Sequence, residues 1–412
     1  MARSDFDLDC TRRAPLPAVT IEYMKELNQL PPPGADALAH SDALTRQLHR
    51  SISEAGGWIS FARYMEEALY TPGLGYYSGG SRKFGEDGDF VTAPEISPLF
   101  GQALAVQVAQ VMALSAWHLI EVGAGTGALA ADLLTALEAC EMLPEHYDIL
   151  ELSGELRERQ SQTLQARVPH LASRVRWLDA LPGSFEGCVV ANEVLDVMPV
   201  HCLVWRDGEC LERGVALEDG KLVWAEKQPD TNLQAAVSML PIHIEGLSEY
   251  ASEICLASRG WIAEWARSLK CGALLLIDYG YPQAEYYLPT RSSGTLQCYY
   301  RHRAHTDFFS WPGLNDITAF VDFTASAEAA FEAGLDVLGY TTQASFLVNC
   351  GALQLLEKRG ASDSVDYLRA ARALQRLIGP HEMGELFKVL AVGKKIGEPL
   401  LGFVRGDRTH AL

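Results

Sequence analysis

The chain has 412 residues, nearly half of them apolar, which is enough for one large domain with insertions or for two domains. Its formal charge of −19 argues against a general nucleic-acid binder, which needs basic surface to neutralise phosphate, and favours basic partners. Nine scattered cysteines, an odd number with no C-x-x-C pair, fit reduced thiols in a cytosolic protein better than a disulfide frame or a zinc site.

Residues Met1 to Asp9 hold acidic groups and no apolar segment, so no targeting peptide is expected and the protein is expected in the cytoplasm. No apolar run reaches membrane-spanning length without charges, so no membrane partner is expected either. Pro15, Pro17 and Pro31-Pro32-Pro33-Gly34 cannot sit inside a long helix and predict an extended arm over about 1–40. The spacing of Leu44, Leu48 and Ile52 predicts a helix that stops at Gly56-Gly57, and a second is expected from Ile59 to Tyr70. The stretch 72–97 is rich in glycine and aromatics. Its Asp89, Thr92, Pro94 and Glu95 mark it as a shaped lid over a site rather than a plain surface loop. Phe100 to Leu114 is an apolar helix.

A short apolar run then ends in Glu121-Val122 and meets Gly123-Ala124-Gly125-Thr126-Gly127, after which Ala128 to Leu137 is patterned as a helix. Strand, glycine turn and helix together form a nucleotide-like cofactor site, because glycine lets the backbone turn sharply and a ligand approach where a Cβ would block it. Gly123-x-Gly125-x-x-Ala128 satisfies the loose dinucleotide fingerprint. However, the third glycine falls one place early at Gly127, and Glu121 stands on the strand just before the turn. A carboxylate there suits a cofactor with an ammonium and a sulfonium better than one with two phosphates. S-adenosyl-L-methionine carries both cations.

Strand and helix patterns alternate from here, predicting a doubly wound α/β domain. Glu151 ends a second strand and is expected on the cofactor's ribose; Asp179 ends a third and is expected near the adenine amino group. A fourth strand ends in Asn192-Glu193, with Asp196 three residues on. Near a sulfonium, Glu193 and Asp196 are expected to hold and polarise a nucleophile, with Asn192 beside the cofactor; the plain alternative makes Asp196 a helix cap. Asp207-Gly208 and Asp219-Gly220 predict hairpins over Val200 to Lys227. Ala251 to Leu269 reads as a helix, and Gly272 to Gly280 as an apolar strand carrying Asp278. His302 and His305 have zinc-like spacing, but arginines flank them and nothing completes four ligands, so His305 reads as a substrate contact or plain surface. Leu335 to Gln343 and Phe387 to Gly393 are the last strand candidates. The chain thus divides into an arm (1–40), helices and lid (41–114), a core first half (115–200), a β-hairpin insertion (201–250), a core second half (251–395) with a substrate loop (281–316) and a helical insertion (345–380), and a tail (396–412).

With these residues in view, the sequence from about Trp58 to Val392 resembles the family of complex I assembly methyltransferases known as MidA or NDUFAF-seven, with its bacterial homologues. The resemblance rests on Gly88-Asp89-Phe90-Val91-Thr92-Ala93-Pro94-Glu95-Ile96-Ser97, on Asn192 to Val200, on Asp278-Tyr279-Gly280, on Asp316 to Phe323 and on Met383 to Phe387. It implies a Rossmann-like class I methyltransferase fold, a mostly parallel seven-stranded sheet with helices on both faces, and S-adenosyl-L-methionine as cofactor. Its mitochondrial branch implies symmetric dimethylation of an arginine in a complex I subunit. The chain is expected to depart from that branch in having no transit peptide, and it reads Gly-Ala-Gly-Thr-Gly at the loop.

A paired carboxylate site suits a cationic acceptor. A guanidinium stays protonated, and acids on its N–H groups would draw charge to one nitrogen and leave the other more nucleophilic. The expected activity is therefore protein arginine N-methylation. The rivals are an assembly protein that keeps the fold without turnover, and a nicotinamide-dependent oxidoreductase.

Overall fold

The structure, a computed structural model, describes residues 30–79, 92–242 and 247–412. Its central sheet has seven main strands, numbered here in chain order: β1 His118–Val122, β2 His146–Leu150, β3 Val175–Leu178, β4 Phe185–Asn192, β5 Leu269–Tyr281, β6 Asp336–Thr342 and β7 Phe387–Lys394. Their spatial order is β6-β7-β5-β4-β1-β2-β3, with the two-residue strand Val321–Asp322 added at the end of β5. Strands β1 to β5 pair in parallel, while β7 runs antiparallel between β5 and β6.

Parallel strands covered on both faces need apolar side chains on both sides, which is why β5 reads Ala273-Leu274-Leu275-Leu276-Ile277 without a polar break. All five are essentially inaccessible. Alternation along the strand sends Leu275 and Ile277 to one face, where Leu104, Val108, Leu133 and Leu134 from helices Pro98–Leu114 and Ala128–Ala139 cover them. Leu274 and Leu276 go to the other face, under Ile262 and Trp265 of helix Leu256–Ser268 and Phe323 of helix Phe323–Glu332. Each such leucine contributes about 2 kcal/mol by burial.

The chain enters at the sheet centre with β1, steps outward through β2 and β3, and returns to the far side of β1 with β4. Connections therefore leave β1 and β4 in opposite directions and open a crevice beyond their carboxyl ends, where open α/β sheets bind ligands. Glu121, the glycine turn, Glu151 and Asn192-Glu193 all sit at that end.

The structure revises several expected boundaries. The helix with Leu44, Leu48 and Ile52 begins already at Ala35, just past Gly34, so the arm ends before residue 40. Trp58–Ser60 is a strand, and the following helix starts only at Phe61 because the Ser60 hydroxyl accepts the Arg63 N–H at 3.1 Å. Glu249–Ile254 is likewise a strand, its backbone spent on pairing with His201–Arg206, and the expected helix shrinks to Leu256–Ser268. The insertion is thus a five-stranded antiparallel sheet that recruits Trp58–Ser60 and Glu249–Ile254 from either side. The expected substrate loop contains a three-stranded sheet of Gln297–Tyr300, Arg303–His305 and Asp316–Thr318. The tail is tied down by Phe403 packing on Phe346, and by the Asn349 amide donating to Gly402 and Arg405. Among the described residues, no helix is long and apolar enough to cross a membrane.

Candidate active site

A cavity of about 1380 Å³ opens at the carboxyl ends of β1, β2, β4 and β5. Its first wall is the glycine turn, where Gly123, Gly125 and Gly127 take φ of +64°, +53° and +81°. At Gly127 the close approach is as restrictive as the angle, since a Cβ would lie 3.0 Å from the Gln160 Cα. Gln160 is a residue that sequence reasoning missed. Fully buried, its amide donates to the Gly125 carbonyl at 3.2 Å and to the Glu151 carboxylate at 3.1 Å, and its oxygen accepts from the Trp177 ring at 2.8 Å. It ties the turn to the acid at the tip of β2. No sequence signal marks it, because a glutamine within a polar helix is ordinary.

Glu121, 2 % exposed, accepts the Tyr147 hydroxyl at 2.5 Å, and burial pushes its pKa up to about 7. Glu151 also accepts the Ser153 N–H at 2.9 Å, and burial raises its pKa too. Asp179 lies at the rim, its side chain 90 % exposed, with its carboxylate paired to Arg157 at 2.7 Å.

The far wall is built on the segment after β4. Glu193 stands at φ +53°, a left-handed position that glutamate seldom adopts, and its carboxylate accepts the Asn192 amide at 3.1 Å. The next three backbone N–H groups, of Val194, Leu195 and Asp196, converge on one oxygen of Asp278 at 3.2, 3.0 and 3.2 Å. The other oxygen accepts the Tyr279 N–H at 2.9 Å. Asp278 was expected among the substrate and lid residues; instead its 1 % exposed carboxylate is consumed by the backbone and stays off the cavity wall. It holds the turn that presents the acids.

Asp196 is not the helix cap of the plain alternative. It is 4 % exposed; one oxygen accepts the Tyr279 hydroxyl at 2.5 Å, and the other is buried with no partner among the described residues. The Asn192 side-chain oxygen is buried and unpartnered in the same way. Burial raises all three acids, and neighbouring charge adds to it for two: Glu193 to about 8 through burial and Asp196, Asp196 to about 6 through burial, and Asp278 well above its ordinary value through burial, Asp196 and Glu193.

Thr92, Pro94 and Glu95 line the cavity, as do residues from 72 to 78, while Asp89 lies outside the described residues. Asp316 also lines it and accepts the Tyr77 hydroxyl at 3.0 Å. His305 does not. Its ring faces Asn315 at 3.2 Å in the three-stranded sheet, and burial lowers its pKa. Sequence reasoning also missed the aromatic wall. Tyr70 stacks on Tyr77 and donates to the Val197 carbonyl at 2.8 Å, and Tyr279 meets Phe320 edge-on. The only signal was the density of aromatics around the glycines at 72–80. Among the described residues the wall carries ten acidic side chains and one basic one, Arg376, so its field favours cationic occupants.

The site fits the expected cofactor: a glycine cradle that a Cβ would fill, Glu151 at the β2 tip, and acids facing where cationic groups must lie. Residues 102–341 match a family described as "Putative S-adenosyl-L-methionine-dependent methyltransferase". A Drosophila melanogaster protein named as the mitochondrial protein arginine methyltransferase NDUFAF7 homolog is 28 % identical over 92 % of each chain. The Danio rerio protein arginine methyltransferase NDUFAF7 is 30 % identical over 82 % of this chain and 84 % of its own. A Burkholderia thailandensis crystal structure with S-adenosyl-homocysteine bound is 51 % identical, with a TM-score of 0.89 over 93 % of this chain and all of that one. These matches displace the nicotinamide reading. A class I fold, a cofactor site suited to a sulfonium and likeness along most of the chain agree: the protein belongs to the MidA/NDUFAF7 family of S-adenosyl-L-methionine-dependent methyltransferases.

Proposed function

We propose that the methyl acceptor is an arginine side chain of a protein partner, held by Glu193 and Asp196. The observation that carries this reading is the acid pair itself, set on a turn that Asp278 fixes, in a wall with ten acids to one base. The names of the relatives support it. Glu151 holds the ribose hydroxyls, and the Gly123–Gly127 turn carries the methionine end. When bound, the cofactor supplies an electrophilic methyl group on sulfur.

The protein's task is then to orient one guanidinium nitrogen and keep water away. Glu193 accepts from one terminal N–H and draws positive charge toward it, leaving the other nitrogen richer in electrons. The tyrosines at 70, 77 and 279 close the sides, with ring faces suited to a flat cation. The unpartnered oxygen of Asp196 accepts the proton that the methylated nitrogen sheds. A neutral hydroxyl or an anionic carboxylate acceptor gains nothing from two acids.

Glu193→Gln keeps the shape and a hydrogen-bonding oxygen but removes the charge. Cofactor affinity should stay within a few-fold while turnover falls by roughly 10²-fold or more. Wild-type turnover would remove Glu193 from the mechanism, and loss of cofactor binding would make it a cofactor ligand.

A further inference from the structure

The helix Val365–Ile378 carries a stripe that the cofactor site does not use. At 100° per residue, Val365, Leu368, Arg369, Arg372 and Arg376 fall within about a third of the helix circumference, opposite the buried Leu374. Val365 is 69 % and Leu368 56 % exposed, and the three arginines are exposed as well. Among the described residues none of these three arginines makes an ion pair, so their charges stand free on the surface of a chain that has an excess of acids. The stripe is continuous with the active site. Arg376 lines the cavity, and the helix packs against the Ala93–Ile96 turn that brings Pro94 and Glu95 to the same wall.

Two surfaces of opposite sign therefore adjoin, an acidic cavity and a basic, partly apolar ridge that runs away from its rim. A partner with basic residues throughout would meet the ridge unfavourably, whereas one with a single cation beside acids would match both surfaces. We infer that the Val365–Arg376 face docks an acidic segment of the protein substrate, adjacent in sequence to the residue that enters the cavity. From Arg376 to Arg369 the helix rises about 10 Å, which an extended chain covers in roughly three residues, so the acids should lie within about three to six residues of the acceptor. Val365 and Leu368 then receive an apolar side chain at the far end. This docking rests on the arginine reading only for the identity of the residue in the cavity.

The test uses the full chain saturated with S-adenosyl-homocysteine and fluorescein-labelled peptides in pairs. Each peptide has one arginine, flanked by Asp and Glu in one member and by Gln in the other. Anisotropy should show the acidic peptide binding at least tenfold more tightly at low salt, with the advantage shrinking as ionic strength rises. Arg369→Glu with Arg372→Glu should abolish that preference, the lysine pair R369K and R372K should retain most of it, and S-adenosyl-homocysteine affinity should be unchanged in both. Equal binding of the two peptides, or a preference that survives charge reversal, would overturn the inference. Replacing the peptide arginine by citrulline reports on the cavity separately. If the acidic peptide still binds through the stripe but is indifferent to its arginine, docking stands and the acceptor reading falls.

Discussion

Asp278 offers the sharpest test of how the acceptor side is built. Its carboxylate accepts the N–H groups of Val194, Leu195 and Asp196, and it is 1 % exposed. In Asp278→Ala these three donors lose their partner. At roughly 1 kcal/mol each, the low end for an unsatisfied buried group, the variant loses about 3 kcal/mol of stability. Relief of repulsion between Asp278 and its neighbours Asp196 and Glu193 offsets part of this. Asp278→Asn should behave differently. Burial and the two neighbouring acids raise the Asp278 pKa, so the carboxyl holds its proton to higher pH than an ordinary aspartate, and a neutral amide oxygen can still accept the three N–H groups of 194–196, giving up only the contact with the Tyr279 N–H. The asparagine variant should therefore stay within about 1 kcal/mol of wild type. Urea denaturation gives both values, and methyl transfer at saturating cofactor gives the functional counterpart. The alanine variant should lose roughly 10²-fold in turnover as Glu193 and Asp196 shift, while the asparagine variant keeps most of it. An alanine variant with wild-type stability and turnover would refute the capping role. An asparagine variant as damaged as alanine would show that negative charge, not hydrogen-bond geometry, is what the turn requires.

Gly125→Val should abolish cofactor binding, because a branched side chain at φ +53° on the cavity wall is both strained and obstructive; a calorimetric titration matching wild type would misplace the cofactor. The raised acids also set a pH dependence. For Glu193, ordinarily near 4.5 and here about 8, the unfolded chain ionises first, so the ligand-free protein should lose stability as pH rises from about 4.5 through about 8 and level off above. A cation bound beside Glu121 and Glu193 lowers their pKa values and releases protons. Affinity for S-adenosyl-L-methionine should thus rise with pH through about 7 to 8, and more steeply than for S-adenosyl-homocysteine, which lacks the sulfonium charge. A flat or falling difference between the two would show that no raised acid faces the sulfonium.

The sheet was legible because most of its strands are buried on both faces and spell themselves as apolar runs, most of them ending in an acid or a glycine. All seven main strands fall where those runs lie. Trp58–Ser60 and Glu249–Ile254 were not legible, since whether three to six mixed residues form a strand depends on a partner far away in the chain, here Glu209–Glu218 and His201–Arg206. The site shows the same division. Glu121, Glu151, Glu193 and the glycines announce themselves by standing at strand ends. Asp278 stands at a strand end too, yet its carboxylate turns inward to the backbone of 194–196. That orientation depends on a contact across more than eighty residues, and no local pattern records it. Gln160 and Tyr147 work by holding other side chains, and such support leaves no local pattern in the sequence.

The central claim is that the cavity receives a protein arginine. The protein, incubated with methyl-labelled S-adenosyl-L-methionine and a lysate from cells lacking it, should place label on arginine nitrogen of a discrete protein, located by mass spectrometry, and Glu193→Gln should place far less. Label found on lysine, on a carboxylate or on a small molecule, with arginine unmodified, would contradict the account.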